Sequence, residues 1–267
     1  MAVSTKIEWA DATFNPWRGC TKVSAGCANC YAERLVTTRF RGAWGKGAPR
    51  VQASEAYWHH PVLWNRKAAA GRFVKCDECG LREFRESCMS HCSSPECRAL
   101  PFDNRVVRPR VFCASLADWL DDVVPIEWLA DLLTLIHATP NLDYLLLTKR
   151  PENWEKRIHL AAQLDHALLG VKLLHWRTGQ APPNVWLGVS VENQETADER
   201  IPLLLQIPAA VRFVSYEPAL GPVNFRAWTL AEHGRRHIGA QPGLSWLICG
   251  GESGPKARPS HPDWFRS

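Results

Sequence analysis

Five short, continuously apolar segments set the strongest limit on how this chain can fold. They are Val111–Ala114, Tyr144–Thr148, Val185–Val191, Val211–Tyr216 and Leu244–Cys249. An apolar run without polar alternation is typical of a parallel strand that is covered on both faces. Their starts lie roughly 25 to 40 residues apart, which leaves room for one helix in each gap. The pattern predicts an α/β protein built from repeated βα units.

Two of the gaps show the apolar spacing of a helix. These segments are Ile126–Ala138 and Thr196–Gln206, and Asp198 and Glu199 would place negative charge in the first turn of the second helix. Residues Ala227–Gly243, rich in His, Arg and Gly, are predicted to form a loop between the fourth and fifth runs.

The chain divides into three parts on this basis. Residues 1–71 hold a three-cysteine loop and a basic segment. Residues 72–108 interrupt the βα rhythm and form a small cysteine-rich insertion, and residues 109–267 contain the βα repeats.

The role of the cysteines depends on the cellular compartment of the protein, which its composition indicates. The 267 residues are 46% apolar and 22% charged with a net charge of +5, the profile of a globular protein. No run approaches the roughly 18 to 20 apolar residues of a membrane helix, and the N-terminus lacks a signal-peptide pattern. We therefore expect a cytoplasmic protein with no membrane partner, in which clustered cysteines bind metal and do not form disulfides.

The first cysteine group is Cys20, Cys27 and Cys30, on a glycine-containing loop that runs into a predicted helix. Structural zinc usually takes four protein ligands, whereas a [4Fe-4S] cluster held by three cysteines leaves one iron for a cofactor or substrate. Gly19 and Gly26 permit tight wrapping of the loop. The alternative is a zinc site completed by a distant residue.

The second group lies in the insertion and consists of Cys76, Cys79, Cys88, Cys92 and Cys97, with His91 among them. An insertion too small for a core of its own gains folding energy from a bound metal. We expect zinc at Cys76, Cys79, Cys92 and Cys97, with Cys88 as the substitute ligand. A second, auxiliary iron-sulfur cluster uses the same thiolates and is the alternative. Cys113 and Cys249 are expected to be buried structural thiols.

Polar residues follow each of the five apolar runs. Parallel α/β folds build their active sites from the loops at the carboxyl ends of strands. The candidates in these positions are Asp118, Lys149, Arg150, Glu192, Glu217, Gly250, Gly251 and Glu252.

Basic and aromatic residues are interleaved between Arg34 and Lys75. Nine basic residues stand against one acid, Glu55. The aromatic residues are Phe40, Trp44, Tyr57, Trp58 and Trp64. This mixture suits phosphate contacts and base stacking, so it suggests a nucleic-acid substrate. An ordinary solvated basic surface is the alternative.

Several motifs together resemble a known family. They are Ile7–Glu33, which contains the first three cysteines, then Phe112–Asp118, Leu147–Glu152, Leu187–Asn193, Ser215–Pro222 and Cys249–Gly254. In this order they resemble the phage-associated three-cysteine-motif family, a radical-SAM-like group. Members carry a further helix and strand after the segment matching Ser260–Arg266, so the resemblance implies a shortened barrel or a truncated sequence.

The resemblance implies a partial (βα) barrel of the radical-SAM type. In such a protein Cys20, Cys27 and Cys30 ligate three irons of a [4Fe-4S] cluster. S-adenosylmethionine chelates the fourth iron and is cleaved to a 5′-deoxyadenosyl radical, with an electron donor as partner. Two features depart from the common pattern: six residues, not three, separate the first two cysteines, and the Gly250–Glu252 segment lies near the chain end, not after the second strand.

The resemblance leaves individual roles open. Lys149, Glu217 and Glu252 are the catalytic candidates, and Gly250, Gly251 and Glu252 are cofactor-binding candidates together with Asp118 and Glu192. Arg150 either faces the cofactor or pairs with a helix carboxylate.

Three function classes follow from these observations. The first is a radical-SAM-like enzyme that modifies a nucleic-acid base or nucleotide. The second is a barrel-type hydrolase that uses Glu217 and Glu252 as acid and base. The third is a non-catalytic, zinc-stabilised nucleic-acid-binding protein. The oligomeric state is not indicated by the sequence.

Overall fold

A computed structural model describes residues 5, 7–85, 92–94, 97, 104–164, 167–229 and 243–266. In chain order the strands are β1 (Ala12–Phe14), β2 (Trp17–Arg18), β3 (Val51–Gln52), β4 (Phe73–Cys76), β5 (Arg82–Phe84), β6 (Asn104–Val106), β7 (Arg110–Cys113), β8 (Asp143–Thr148), β9 (Val185–Ser190), β10 (Val211–Tyr216) and β11 (Trp246–Cys249). The helices are α1 (Tyr31–Thr38), α2 (Glu55–Trp58), α3 (His60–Ala69), α4 (Ile126–Ala138), α5 (Trp154–Ala162), α6 (Ala167–Arg177) and α7 (Gln194–Gln206).

The main sheet has six strands in the order β1-β7-β8-β9-β10-β11, and all five neighbouring pairs are parallel. The five strands predicted from the apolar runs are therefore confirmed, as is the mixed α/β class. Strand β1 is not predicted from the sequence, because a strand of three residues is too short to show a pattern. Since all five pairs are parallel, the carboxyl ends of all six strands lie along one edge.

Side chains on the two faces of the sheet enter two different apolar clusters. Tyr144 and Leu146 of β8 are fully buried on the face that packs against the helices. Leu145, between them, points to the opposite face, as the period of two in a strand requires. There it packs with Phe213 and Ile248. This second face carries the cavity described below.

Helix α7 begins earlier than predicted. It starts at Gln194 because the side chain of Asn193 accepts a hydrogen bond from the backbone N–H of Thr196 (3.0 Å) and caps the helix. Asp198 and Glu199 therefore lie beyond the first turn, and the prediction that they charge it is wrong. Helix α4 has the predicted bounds.

The insertion contains a separate three-stranded antiparallel sheet in the order β5-β4-β6. It is tied to the start of the main sheet by Arg82. The guanidinium of Arg82 pairs with the carboxylate of Asp11 (2.9 Å) and donates to the backbone oxygen of Arg108 (2.7 Å). Asp11 directly precedes β1, so these contacts attach the insertion to the amino edge of the main sheet, opposite the edge where the strands end.

The two isolated cysteines differ in exposure. Cys113 is fully buried in β7, as predicted. Cys249 is exposed, so the prediction of a buried thiol there is wrong. The reason is its position at the end of β11, which pairs with β10 alone in the part of the chain that the structure describes.

Some predictions concern residues that the structure does not describe. Most of the expected loop Ala227–Gly243, namely residues 230–242, lies outside the described residues, and so do Cys88 and His91. Within the described ranges, no helix has the length and apolar character that crossing a membrane requires.

Candidate functional site

The first cysteine group lies on the loop between β2 and α1. Cys27 ends a single 3-10 turn, and Cys30 is the residue before the first turn of α1, so the loop leads directly into a helix as predicted. Gly19 opens the loop with a φ of +109°, a left-handed backbone conformation that favours glycine. Cys20, Cys27 and Cys30 all line a cavity of about 640 Å³ at the carboxyl edge of the main sheet.

The sulfur atoms of Cys20, Cys27 and Cys30 do not all lie within 4.8 Å of one another. Within the described ranges, the set of thiols whose sulfurs all lie within 4.8 Å of one another is formed by other cysteines, not by Cys20, Cys27 and Cys30. A single tetrahedral ion with metal–sulfur bonds of about 2.3 Å holds thiolates about 3.8 Å apart. A polynuclear cluster binds each thiolate through a different iron and spaces them more widely. The arrangement therefore disfavours a single zinc ion at this loop.

The thiols of this loop sit in an environment that resists their ionisation. Burial, followed by the nearby charge of Asp118, raises the pKa of Cys20 to about 12. Burial also raises the pKa of Cys30. Without a bound cation both thiols are neutral at pH 7, so a metal centre is the kind of partner that would hold them as thiolates.

Asp118 and Arg150 hold the start of the loop. One carboxylate oxygen of Asp118 accepts from the hydroxyl of Thr148 (2.7 Å), and the other accepts from Arg150 Nη1 (3.0 Å). Arg150 also donates to the backbone oxygen of Thr21 (2.7 Å) and to the sulfur of Cys20 (3.5 Å). The partner of Arg150 is thus the strand-end carboxylate of Asp118, not a helix carboxylate, although both residues also line the cavity.

Glu192 contacts the middle of the loop on the side away from the cavity. Its side chain is fully buried and does not line the cavity. It accepts from Lys149 Nζ (2.7 Å), from Arg200 Nη1 (3.2 Å) and from the hydroxyl of Ser24 in the loop (2.7 Å). Burial alone would raise the pKa of Glu192, but Lys149 and Arg200 lower it below its ordinary value.

Gly26 lies directly against this carboxylate. A Cβ at Gly26 would come within 2.4 Å of Glu192, so only glycine fits there. Lys149 differs from Glu192 in that it lines the cavity, where its ammonium group also donates to Ser190 Oγ (2.5 Å). Of these two predicted site residues, Lys149 therefore lines the cavity, and Glu192 lies behind the cavity wall.

Glu252 joins the C-terminal segment to the same loop. Its carboxylate pairs with the guanidinium of Arg258 and accepts from the side-chain amide of Asn29 (2.9 Å). Arg258 in turn donates to the backbone oxygen of Ala25 (3.0 Å). The hydrogen bonds from Arg258, assisted by Asn29, lower the pKa of Glu252 to about 2. Glu252 is therefore ionised and committed to partners within the chain.

Glu217 lines the cavity and forms no ion pair with the residues that the structure describes. It accepts a hydrogen bond from the hydroxyl of Ser215 (3.1 Å). Burial raises the pKa of Glu217, Ser215 and the neighbouring indole of Trp9 oppose the shift only in part, and the charge of Glu8 adds to it. Gly250 and Gly251 line the cavity beside it, so the structure brings together all the predicted strand-end residues except Glu192.

The second cysteine group forms a compact set in the insertion. The sulfurs of Cys76 and Cys97 lie 3.7 Å apart, and those of Cys79 and Cys92 lie 3.5 Å apart. All four lie within 4.8 Å of one another, and they are the four first-choice ligands. Backbone hydrogen bonds, first from Cys79 and then from Glu78, lower the pKa of the Cys76 thiol, which favours metal binding. This group could hold a metal ion.

The basic and aromatic segment is only partly available to a ligand. Tyr57, Trp58 and Trp64 pack against the main core. Arg50 is buried and pairs with Asp121 (2.7 Å). These four residues are structural. Of the other two predicted aromatic residues, Phe40 is exposed and lies under the guanidinium of Arg18 (4.2 Å), and Trp44 is half-buried and lines the cavity.

Sequence reasoning missed several residues that hold the site together. They are Trp9, Ser24, Asn29, Arg200 and Arg258. Three of them, Trp9, Ser24 and Asn29, lie inside the motif segment Ile7–Glu33, which was the available signal. Arg200 and Arg258 belong to no motif, although their partners Glu192 and Glu252 lie only eight and six residues before them.

Comparison with known proteins gives one match. Residues 4–267 match the family described as protein of unknown function (DUF5131). No curated protein and no solved structure matches the chain.

Proposed function

We propose that this chain, which belongs to the DUF5131 family of proteins of unknown function, is a radical-SAM-like iron-sulfur enzyme. In this proposal it binds a [4Fe-4S] cluster at Cys20, Cys27 and Cys30 and cleaves S-adenosylmethionine reductively to modify a nucleic-acid base or nucleotide. The observation that carries the proposal is the position of this three-cysteine loop on the wall of a large cavity, at the carboxyl edge of a parallel sheet in sequential order.

The donor set at the loop fits such a cluster. Three cysteines of one short loop face one cavity, and their sulfurs are spaced too widely for a single ion. The sequential, open six-stranded sheet agrees with a partial barrel of the radical-SAM type. When bound, the cluster would supply an electron, received from a donor protein or reductant, to the cofactor sulfonium.

The residues of the chain have distinct tasks in this proposal. Arg150 holds the first cysteine through its contact with Cys20, and Glu192 holds the loop between the first two cysteines through Ser24. Glu252 holds the loop between Cys27 and Cys30 through Asn29. Each segment of the loop is therefore fixed by a buried or half-buried polar contact, which preorganises the three thiols.

The Gly250–Gly251 segment is the proposed binding site for the methionine part of the cofactor. Gly251 lines the cavity without a side chain, so a ligand can approach its backbone. Lys149 lines the same cavity with a cationic group suited to a carboxylate. We assign the methionine end of the cofactor to this side of the cavity.

We assign zinc to the insertion. The four sulfurs of Cys76, Cys79, Cys92 and Cys97 have the spacing of a single tetrahedral ion and are too close together for the corners of an iron-sulfur cubane. The insertion is also attached to the amino edge of the main sheet, away from the cavity. Its metal is therefore structural and does not deliver electrons to the cavity.

The hydrolase alternative has less support. A general acid and base pair needs two carboxyl groups free to meet the substrate. Both oxygens of Glu252 are hydrogen-bonded by Arg258, and one also by Asn29. Glu252 is therefore not available to act as the partner of Glu217.

The test is anaerobic reconstitution with iron and sulfide, followed by metal analysis and absorbance near 400 nm. We expect about four irons per chain at the loop and, with a chemical reductant and S-adenosylmethionine, formation of 5′-deoxyadenosine and methionine. Cys27→Ala should abolish the absorbance and the products. Cys76→Ser is the matched control, because it removes a thiol from the other group and should leave both readouts intact.

Two outcomes would reject the proposal. One is a wild-type protein that carries zinc and no iron after reconstitution, which would favour the zinc-stabilised binding protein. The other is an iron content that Cys27→Ala leaves unchanged.

A further inference from the structure

The chain that follows α1, residues 39–46, carries positive charge on its surface and is called the basic turn below. Its three basic residues are exposed and form no ion pair with any residue that the structure describes; they are Arg39, Arg41 and Lys46. The one acid between residues 18 and 54 is Glu33, and it pairs with Lys22 (2.7 Å). The charge of the basic turn is therefore available to an anionic partner.

Phe40 places an aromatic ring among these charges. The residue is 42% exposed, and the guanidinium of Arg18 lies 4.2 Å from the ring centroid. The guanidinium of Arg39 lies 5.9 Å from the same centroid. Aromatic rings and guanidinium planes are the side-chain surfaces on which unpaired nucleic-acid bases stack. Phe40 and Arg18 therefore form a stacking surface within the charged region.

The basic turn lies beside the cysteine loop and the cavity. The backbone N–H of Gly45 donates to the backbone oxygen of Cys20 (3.0 Å), and the hydroxyl of Thr21 donates to the backbone oxygen of Gly45 (3.4 Å). Trp44, the residue before Gly45, lines the cavity. The basic turn is therefore part of the cavity rim, so a chain molecule bound to it passes the opening.

Arg41 has an unfavourable backbone conformation that the structure nevertheless holds in place. Its φ is +51°, in the left-handed region that favours glycine. The residues on both sides are held against α1, since Phe40 donates to the backbone oxygen of Leu35 (3.3 Å) and Gly42 to that of Val36 (2.9 Å). Backbone conformations of this kind cluster at binding and catalytic sites. An arginine at this position therefore agrees with a binding role for the basic turn.

We infer that the basic turn and Arg18 form the binding surface for a single-stranded nucleic acid. Its phosphates contact the cations of the turn, one base stacks on Phe40 and Arg18, and the target nucleotide enters the cavity past Trp44. A single strand is favoured over a duplex because stacking on these side chains requires an unpaired base, and because a cavity of about 640 Å³ has the size of a small-molecule site. The inference deepens the proposed function, on which it rests for the chemistry in the cavity, by naming the substrate class.

The test measures binding of oligonucleotides of about twelve nucleotides to the full-length protein by fluorescence anisotropy, without reconstitution of iron. The probes are a single strand, as DNA and as RNA, its duplex, an abasic strand with the same phosphates, and polyglutamate. The single strand should bind at least about fivefold more tightly than the abasic strand, the effect of one stacked base, and more tightly than the duplex. Equal binding of the single strand and the abasic strand, or of polyglutamate, would indicate a surface for any polyanion or acidic protein and overturn the inference.

Substitutions at Phe40 test the stacking contact. Phe40→Leu keeps an apolar side chain but removes the aromatic face, so it should weaken binding of the single strand by at least about fivefold and leave binding of the abasic strand unchanged. Phe40→Trp retains an aromatic face and should bind as tightly as wild type. If Phe40→Leu binds the single strand as wild type does, or Phe40→Trp loses as much affinity as Phe40→Leu, the inference is wrong.

Substitutions of two arginines test the phosphate contacts. Arg39→Ala combined with Arg41→Ala should lower the slope of log affinity against log salt concentration by up to about 1.4, which is about 0.7 for each lost contact with a single-strand phosphate. Lys172→Ala combined with Arg226→Ala is the matched control, because it removes two exposed basic residues outside the basic turn and should leave the slope unchanged. A slope that falls equally in both double variants, or in neither, would contradict the assignment.

Iron content separates this inference from the proposed enzyme. None of these substitutions removes a cysteine, so iron bound after reconstitution should equal that of wild type in every variant. A protein that binds iron and cleaves S-adenosylmethionine but binds no oligonucleotide would retain the enzyme and reject this surface. A protein that binds single strands through Phe40 but carries no iron would retain the surface and reject the enzyme.

Discussion

Removal of the Glu192 carboxylate should destabilise the protein strongly. Glu192→Ala leaves Arg200, whose side chain is 4% exposed, and Lys149, whose side chain is 19% exposed, without their acidic partner. Breaking a buried ion pair by removing one member costs about 3–5 kcal/mol, because the remaining charge stays desolvated. At about 2–4 °C per kcal/mol for a chain of this size, we expect the melting temperature to fall by roughly 6–20 °C.

Denaturant and thermal unfolding, followed by circular dichroism, measure this effect. Asp131→Ala is the matched control, since loss of an exposed carboxylate should change the free energy of unfolding by no more than about 0.5 kcal/mol. Glu192→Ala combined with Arg200→Met should be less destabilising than the sum of the two single changes by at least about 1 kcal/mol, because the buried charge of Arg200 is then no longer left without a partner.

Loss of the Glu192 carboxylate should also have a local effect at the cysteine loop. Glu192 accepts from Ser24, so its loss should reduce the iron retained after reconstitution even at temperatures where the variant is folded. A Glu192→Ala protein whose free energy of unfolding lies within about 1 kcal/mol of wild type would refute the assignment of this residue as the buried support of the loop.

Three further predictions address other parts of the molecule. Cys76→Ser should expose residues 72–108 to proteolysis while the remainder stays resistant, because the metal replaces a missing core, and unchanged resistance with unchanged zinc content would contradict a structural site. Since Arg258 lowers the pKa of Glu252 from 4.5 to about 2, its stabilising contribution is present above pH 4.5 and lost as the pH falls toward 2. The stability advantage of wild type over Glu252→Gln should therefore shrink over that range, and a constant difference would be inconsistent with this pair. If the basic segment contacts a phosphate backbone, replacing Arg66 and Lys67 with Ala should lower the slope of log affinity against log salt concentration by up to about two, one for each lost phosphate contact. An unaltered slope would show that these two residues do not contact phosphate.

The sequence alone determined the elements that depend on local pattern. Continuous apolar runs such as Val211–Tyr216 identified the parallel strands, because strands covered on both faces have no polar alternation. Cysteine spacing identified the four thiols of the insertion, since ligands that are close in sequence can reach the same metal ion. Polar residues after each strand identified the edge that carries the cavity.

Only the tertiary structure decided what each polar residue does. Glu192 and Glu217 look alike in sequence, as carboxylates that follow a strand. Glu192 is fully buried and paired with two cations, whereas Glu217 faces the cavity without any described ion-pair partner. The difference depends on Arg200 from the following helix and on Trp9, more than 200 residues before Glu217 in the chain. A contact such as that between Trp9 and Glu217 leaves no periodicity or spacing in the sequence, because folding alone brings the two residues together.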